Sequence, residues 1–304
     1  MKKSANIPVR QKFEAPTWCL VLIIYGGWLA MTWFAMAMPV WLLLPVGAWL
    51  AAWYYSLQHE VIHGHPSPWR WLNDLIGTMP LNLLIPYPIY RASHTQHHTR
   101  DNLTIPGLDP ESFYFTAETW ASMPALLRFI HVANNTLVGR LTIGPAVAAV
   151  MFWIGEIRSI GRGDYSDVPV WLIHILLSVV VLYWVTVVCA IPLWLYILAF
   201  AYPGLALTLM RSYIEHQDAV DPEHRTAIVE CQTLLGILYL YNNLHVAHHD
   251  MPSLAWYRLP AHYAAHREEI LQRNGGYLFR GYRKVVRHYL FAPIHLPVLA
   301  KRPI

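Results

Sequence analysis

Charge is what this 304-residue sequence has least of: 13% of its residues are Asp, Glu, Lys or Arg, against 56% hydrophobic. No such charge falls between Ala15 and Gln58, a run of 44 residues. Val168 to Met210 is another run of 43, interrupted only by His174. Uncharged runs of this length exclude a soluble domain of ordinary build. A membrane-crossing helix needs roughly 20 apolar residues, so each run holds two crossings and is too long for one. Cysteine is scarce too. Cys19, Cys189 and Cys231 stand alone, which excludes a disulfide framework and a C-x-x-C metal site. The sequence shows no His-Pro-Gly-Gly haem motif, no cysteine pattern for an iron–sulfur cluster and no nucleotide-binding glycine loop. A cleavable signal peptide is not expected, because the first apolar run is too long and flows into a second crossing.

Pro39 and the Cys189–Pro192 region are natural turn points near the two midpoints. The expected fold is all-α and integral to the membrane: four transmembrane helices in two hairpins, about 17–57 and 168–210, carrying a helical cap. Helix one should run about Thr17–Met38 and helix two about Val40–Leu57. Each hairpin leaves and re-enters on one side, so all 22 Lys and Arg fall on the same face. The positive-inside rule makes that face cytoplasmic, with both termini on it, and the basic start (Lys2, Lys3, Arg10, Lys12) agrees. A net charge of +4 then reflects topology, and no nucleic-acid partner is expected. Leu75–Tyr90 is interrupted by Pro80, Pro86 and Pro88 and reads as an interfacial or re-entrant segment. Leu141–Gly155 is too short to cross and should lie in the membrane plane. Thr226–Tyr241 reads as an apolar, membrane-associated helix, and a further helix is expected near Ala261–Leu271. With no internal repeat beyond a paired histidine motif, a single domain over 1–304 is the economical count.

Histidine supplies what charge and cysteine do not. His245, His248 and His249 fall at i, i+3 and i+4, and His94, His97 and His98 repeat the same H-x-x-H-H spacing. His59 and His63 stand at i and i+4. On a helix each set shares one face. Eight imidazoles therefore form three clusters, 59–63, 94–98 and 245–249, each beside an apolar stretch. A structural zinc takes four ligands, typically with thiolates, and eight exceed what one ion can hold. They suit two ions with four or five nitrogens each. Imidazole alone does not choose among zinc, copper, iron and nickel. A metal pair reached from an apolar interior has a hydrocarbon chain as its natural substrate. Breaking an unactivated C–H bond calls for a redox metal with dioxygen, which favours iron.

The set His59-x-x-x-His63, His94-x-x-His97-His98 and His245-x-x-His248-His249, arranged around two hydrophobic hairpins, resembles the integral-membrane fatty acid desaturase superfamily. That superfamily also holds hydroxylases and carotenoid-modifying oxygenases, and the resemblance covers roughly Ala15 to Pro260. It implies a four-helix stem with a cytoplasmic cap, two non-haem iron ions held by histidine, and dioxygen as co-substrate. It implies a fatty acyl or lipid substrate and insertion of a double bond. It also implies a ninth ligand between the second and third clusters. His216, just past helix four, is the candidate; His224 is the competitor, and a surface pairing of His216 with Glu215 or Asp218 is the plainer reading. Glu60, Asn242 and Asp250 are placed to hydrogen-bond ligand rings, although helix capping explains Asp250 equally well.

Other histidines are expected to be structural: His65 before Pro66, His174 within helix three, and the pair His262 and His266 on a solvated helix. The nearest rival in chemistry is hydroxylation or ketolation of a lipid or carotenoid, and Leu108-Asp-Pro-Glu111 faintly resembles a stretch of carotenoid ketolases. A rival of another class is a metal-binding or transport protein, which would carry ligands near the bilayer midplane and not at helix ends. Electrons should come from a separate carrier of the ferredoxin, rubredoxin or cytochrome b5 type, with the basic cap as its expected docking place.

Overall fold

The computed structural model describes residues 13–299. The basic residues Lys2, Lys3, Arg10 and Lys12 lie outside the described residues.

Four helices are long and apolar enough to cross a membrane: Ala15–Ala37, Val40–Ile62, Val168–Val188 and Leu193–Ser212. Helix α1 (Ala15–Phe34) ends in a 3₁₀ turn, and Pro39 in extended geometry starts α2 (Val40–Ile62). The third span ends in a π-helical turn, Trp184–Val188, and the fourth has one at Ile197–Ala201. The turns fall where proline placed them, and they are neighbours. Trp184 Nε1 donates to Thr32 Oγ1 at 3.0 Å, which ties the far end of the first hairpin to that of the second. Both hairpins therefore point the same way, with their histidine-bearing ends together at the opposite end. The third span leaves a stripe of exposed apolar residues, among them Leu172, Leu176 and Val179, as a lipid-facing helix does.

The second and fourth spans pack closely because glycine lets them. A Cβ on Gly47 would stand 2.5 Å from the Ala199 carbonyl oxygen, and one on Gly204 would stand 2.4 Å from Ala51 Cβ. Small residues at such a crossing allow backbone approach where lipid supplies no hydrophobic drive. This contact brings the ends of the two spans, and so His59 and His216, side by side.

Between α3 (Arg70–Thr78) and α4 (Tyr87–His97) the chain dips between the spans without helical hydrogen bonds. Its carbonyls find partners in the protein. Tyr54 donates to Met79, Tyr196 to Leu81 at 2.6 Å, and His174 to Leu83 at 3.0 Å. Irregular backbone next to spanning helices persists only when satisfied in this way. It also gives His174 the structural role expected of it.

Helix α5 (Gly144–Gly161) is not among the four candidate spans. It reaches from Tyr202 beside Thr142 to the start of the third span, where Trp171 donates to Glu156 at 2.6 Å. One expected element is absent. Thr226–Tyr241 is not a helix: Ile228–Val229 (β1) pairs in parallel with Leu278–Phe279 (β2), and helix returns only over Leu234–Leu238. Asn243 Nδ2 donates to the Val229 and Cys231 carbonyls, and this tertiary bracing holds the apolar strand open where its composition suggested a helix. Two further boundaries move outward. Helix α2 continues to Ile62, so His59 lies inside it, and the cap helix α7 runs Leu259–Arg273 after α6 (His245–Asp250).

Candidate metal centre

All nine candidate histidines meet at the end of the stem opposite the hairpin turns. His59 lies in the last turn of α2 and His63 caps it; His94 and His97 lie in the last turn of α4 and His98 caps it; His216 follows the fourth span; His245, His248 and His249 lie on α6. They separate into two groups whose ligand atoms lie within 4.8 Å of one another: His59, His63, His94, His98 and His248 in one, His97, His216, His245 and His249 in the other. The division follows helical geometry. At about 100° per residue, the i+3 and i+4 rings of an H-x-x-H-H motif point to opposite sides of the first. So i and i+4 stay together (His94 with His98, His245 with His249), while each i+3 ring crosses to the other motif's group.

The Nε2 atoms form two chains of contact. In the first group the distances are 3.1 Å for His63–His94, 3.0 Å for His94–His98 and 3.2 Å for His98–His248. In the second they are 3.1 Å for His97–His216, 3.0 Å for His216–His245 and 3.1 Å for His245–His249. A ring nitrogen carries one lone pair or one proton, so it can serve one such partner. His94, His98, His216 and His245 each have two. Hydrogen bonding among the rings cannot account for that, whereas a cation with every lone pair turned toward it can.

The other ring nitrogens support this. His97 Nδ1 donates to Asp109 Oδ1 at 2.9 Å and His94 Nδ1 to Glu111 Oε1 at 3.1 Å. His245 Nδ1 lies 3.0 Å from Asn242 Oδ1 and 3.3 Å from Glu215 Oε1. An acceptor on Nδ1 fixes the proton there and frees the Nε2 lone pair for a metal. Asp109 is itself clamped by the Thr104 and Glu111 amides, both at 2.9 Å. His59 departs from the pattern, since Asn242 Nδ2 stands 3.2 Å from its Nε2.

Burial, reinforced by neighbouring imidazoles, pushes His63, His245, His248 and His249 well below the ordinary imidazole range. It takes His98 and His216 to about 3. These rings are neutral at physiological pH, as metal ligands must be. His97 runs the other way: burial lowers it, but Glu111 and Asp109 outweigh burial and raise it. Burial would raise Glu111, yet the facing His94 and His97 hold it below the usual carboxylate range. Glu215 is pushed up to about 7 by burial, against the pull of Arg211; the Arg211 guanidinium donates to it at 2.7 Å.

The donor set fits a metal pair. A family model of fatty acid desaturases matches residues 36–281. The chain belongs to the fatty acid desaturase family. It is a membrane protein of mainly helical build, with histidine clusters able to bind metal. Among curated proteins it is similar to the omega-6 fatty acid desaturase, chloroplastic, of Spinacia oleracea, 32% identical over 105 residues. That match covers 31% of this chain and 23% of the relative, so the shared stretch spans less than a quarter of the relative's length.

Outside the groups, His224 lies 3.8 Å from Asp221, and the His262 ring sits tilted against His266 at 4.5 Å. His65 is buried against Glu14 at 2.8 Å. Of the three residues proposed to support the rings, Asn242 sits between the groups. Glu60 lies 3.9 Å from His59 Nδ1 and also accepts from the Trp256 amide. Asp250 instead pairs with Arg273 beside a water-sized cavity that reaches His249. Sequence reasoning missed Asp109, Glu111 and Glu215 as ring partners. The first two lie in the Leu108–Glu111 stretch already singled out, and Glu215 is adjacent to His216, but only the fold shows which ring each one meets.

Proposed function

We propose that this chain is an oxygen-dependent desaturase that introduces a double bond into a fatty acyl or other lipid chain. The nine histidines would hold two iron ions, four rings on one and five on the other. The observation carrying this reading is the pair of Nε2 contact chains, which hydrogen bonding among the rings cannot satisfy, inside a desaturase-family chain. Held by these rings, such an iron pair would supply the oxidising power for hydrogen abstraction from the acyl chain. The reaction consumes one dioxygen, two electrons and two protons. It converts –CH2–CH2– to –CH=CH– and yields two waters.

The protein's own part is to position and to insulate. Asp109, Glu111, Glu215 and Asn242 fix ring tautomers and orientation, which is worth about 10–100-fold in metal affinity in comparable sites. Burial keeps the rings neutral and excludes water. The apolar stem presents its end to the site, so an acyl chain lying in the bilayer approaches without leaving an apolar environment. We further propose one desaturase-like domain throughout, with the cap and both termini cytoplasmic by the positive-inside rule. Transport is disfavoured because the rings cluster at the ends of the spans and not at their middle.

The test is product analysis of lipid extracts from a host expressing the wild type or His248→Ala. A new unsaturated lipid, absent from the variant, is the expected result. A hydroxylated or ketolated product would keep the site and replace the reaction.

A further inference from the structure

Arg140 and Arg225 are the most deeply buried arginines among the described residues, 5% and 2% exposed, and the fold treats them differently. Arg225 is well supplied with acceptors: its Nε donates to the Ala219 carbonyl at 2.9 Å and its Nη1 to those of Asp101 and Leu103, both at 3.0 Å. Arg211, also largely buried, has Glu215 at 2.7 Å. Arg140, on the short helix Leu137–Thr142, has neither arrangement. Its Nη2 donates to Asn135 Oδ1 at 3.1 Å, and its Nε is buried without a hydrogen-bond partner. Among the described residues no carboxylate lies within 4.0 Å of it, and residues 1–12 and 300–304 contain no Asp or Glu. Burial pulls its pKa down to about 10, which leaves it charged at neutral pH. The Phe113 and Tyr213 rings each lie 5.5 Å from the guanidinium, and rings attract a cation without neutralising it. A buried cation with no counter-charge is costly to keep.

The surroundings indicate what supplies that charge. A Cβ on Gly144 would stand 3.2 Å from Asn134 Oδ1, 3.3 Å from Arg140 Cδ and 3.5 Å from Leu209 Cδ1, so these groups meet at one spot. Asn134 Oδ1 and the Tyr213 hydroxyl are themselves buried without partners. Tyr202, inside the fourth span, donates to the Thr142 carbonyl, while Leu209 lies in the last turn of that span and Tyr213 just after it. Arg140 is therefore level with the end of the span, where hydrocarbon gives way to headgroups. At about 100° per residue, Leu209 and Tyr213 share a face nearly opposite Arg211, which serves the metal groups through Glu215. Arg140 thus stands behind the fourth span, away from the rings. Tyr213 is fully buried and Phe113 only half-buried, so the way in lies on the Phe113 side. Apolar surface flanks the spot: helix Ala125–Asn134 exposes Leu126 and Phe129, and α5 exposes Val150 and Ile157.

We propose that Arg140 is the centre of a binding site for the phosphate of an anionic phospholipid, seated behind the fourth span with its acyl chains along α5. A basic recess beside spanning helices at headgroup level is the setting in which such phosphates bind. The head carries net negative charge, because a zwitterionic head brings its own cation and leaves Arg140 unbalanced. The bound lipid braces the end of the span three residues before His216, and it does so whatever reaction the rings perform.

The test uses the full chain in nanodiscs of phosphatidylcholine, alone or with a minority of phosphatidylglycerol. Phosphatidylglycerol should raise the melting temperature of the wild type by at least about 4 °C. Arg140→Gln removes the charge, and Asn135→Asp supplies a carboxylate from within; neither variant should respond to phosphatidylglycerol. Asn135→Asp should also melt above the wild type in phosphatidylcholine alone, which keeps the test open if Arg140→Gln does not fold. Native mass spectrometry of protein released from the mixed discs should find one more phosphatidylglycerol on the wild type than on either variant. A gain in melting temperature shared equally by wild type and variants overturns the proposal, as does a wild type that retains no phosphatidylglycerol. A gain of the same size from inorganic phosphate in phosphatidylcholine discs also overturns it and assigns Arg140 to a free anion.

Discussion

The two ring groups solve one problem by different means. The five-ring group relies on number: the carboxylate within hydrogen-bond reach of its rings is Glu111 on His94, from a side chain 30% exposed, while the buried Glu60 stands off at 3.9 Å from His59. Its member His59 faces an amide nitrogen. The four-ring group has fewer donors but firmer support. Asp109, with a side chain 2% exposed, holds His97; Glu215 and Asn242 share His245; Thr226 Oγ1 lies 3.4 Å from His216 Nδ1. A ring held by a buried carboxylate is oriented before any metal arrives, whereas a ring held at a wet edge has water as a substitute partner. Asn242 touches both groups, so neither is positioned independently.

This asymmetry can be broken most severely by removing one ring from each group. His97→Ala and His248→Ala should both abolish product, but their metal contents should differ. His97→Ala leaves three imidazoles and should retain about one ion per chain, whereas His248→Ala leaves four and should retain more than that. Metal analysis of the purified variants decides; equal loss from both would erase the distinction.

Acid should separate the groups next. For the rings lowered by burial, the folded pKa lies below the unfolded value of about 6.5, so the unfolded chain takes up protons first. Their stability is full above that pH and drains away as pH falls toward about 3, the value for His98 and His216. His97, raised above its unfolded value, contributes in the opposite sense: its share is present at low pH and lost as pH rises. The metal-free wild type should therefore melt at lower temperature at pH 5.5 than at 7.5, and Asp109→Asn should steepen the fall. A melting temperature independent of pH would contradict the burial argument.

The smallest effect sharpens the comparison within one loop. Asp109→Asn should weaken metal retention by about 10–100-fold, and Glu111→Gln by less than about 10-fold, because solvent reaches Glu111. Chelator competition measures both. The reverse order would show that exposure does not govern how much each carboxylate contributes.

Much of this was legible from spacing. Two uncharged runs gave four spans, proline gave their turns, and three histidine clusters gave eight of the nine rings that meet. His216 was legible only through resemblance. What separates it from His224 is the antiparallel bridge between His216 and Thr226, which presents His216 inward. The extended backbone at Ile228–Val229 was not legible, because its partner Leu278–Phe279 lies 50 residues away in register and local composition favours helix. The sorting of rings was latent in helical geometry, but it becomes definite only when α4 and α6 face each other. The carboxylates were hidden for a plainer reason. Nothing in the sequence says which of 18 acidic residues will be buried against an imidazole.

The central claim is that the nine rings hold two redox metal ions. Its most direct test is the iron and zinc content of the detergent-purified chain, with X-ray absorption at the metal edge. The account predicts about two irons per chain in a shell dominated by nitrogen, with loss on His97→Ala following the order given above. Active protein that contains no iron, or whose metal content is indifferent to these histidines, would contradict it.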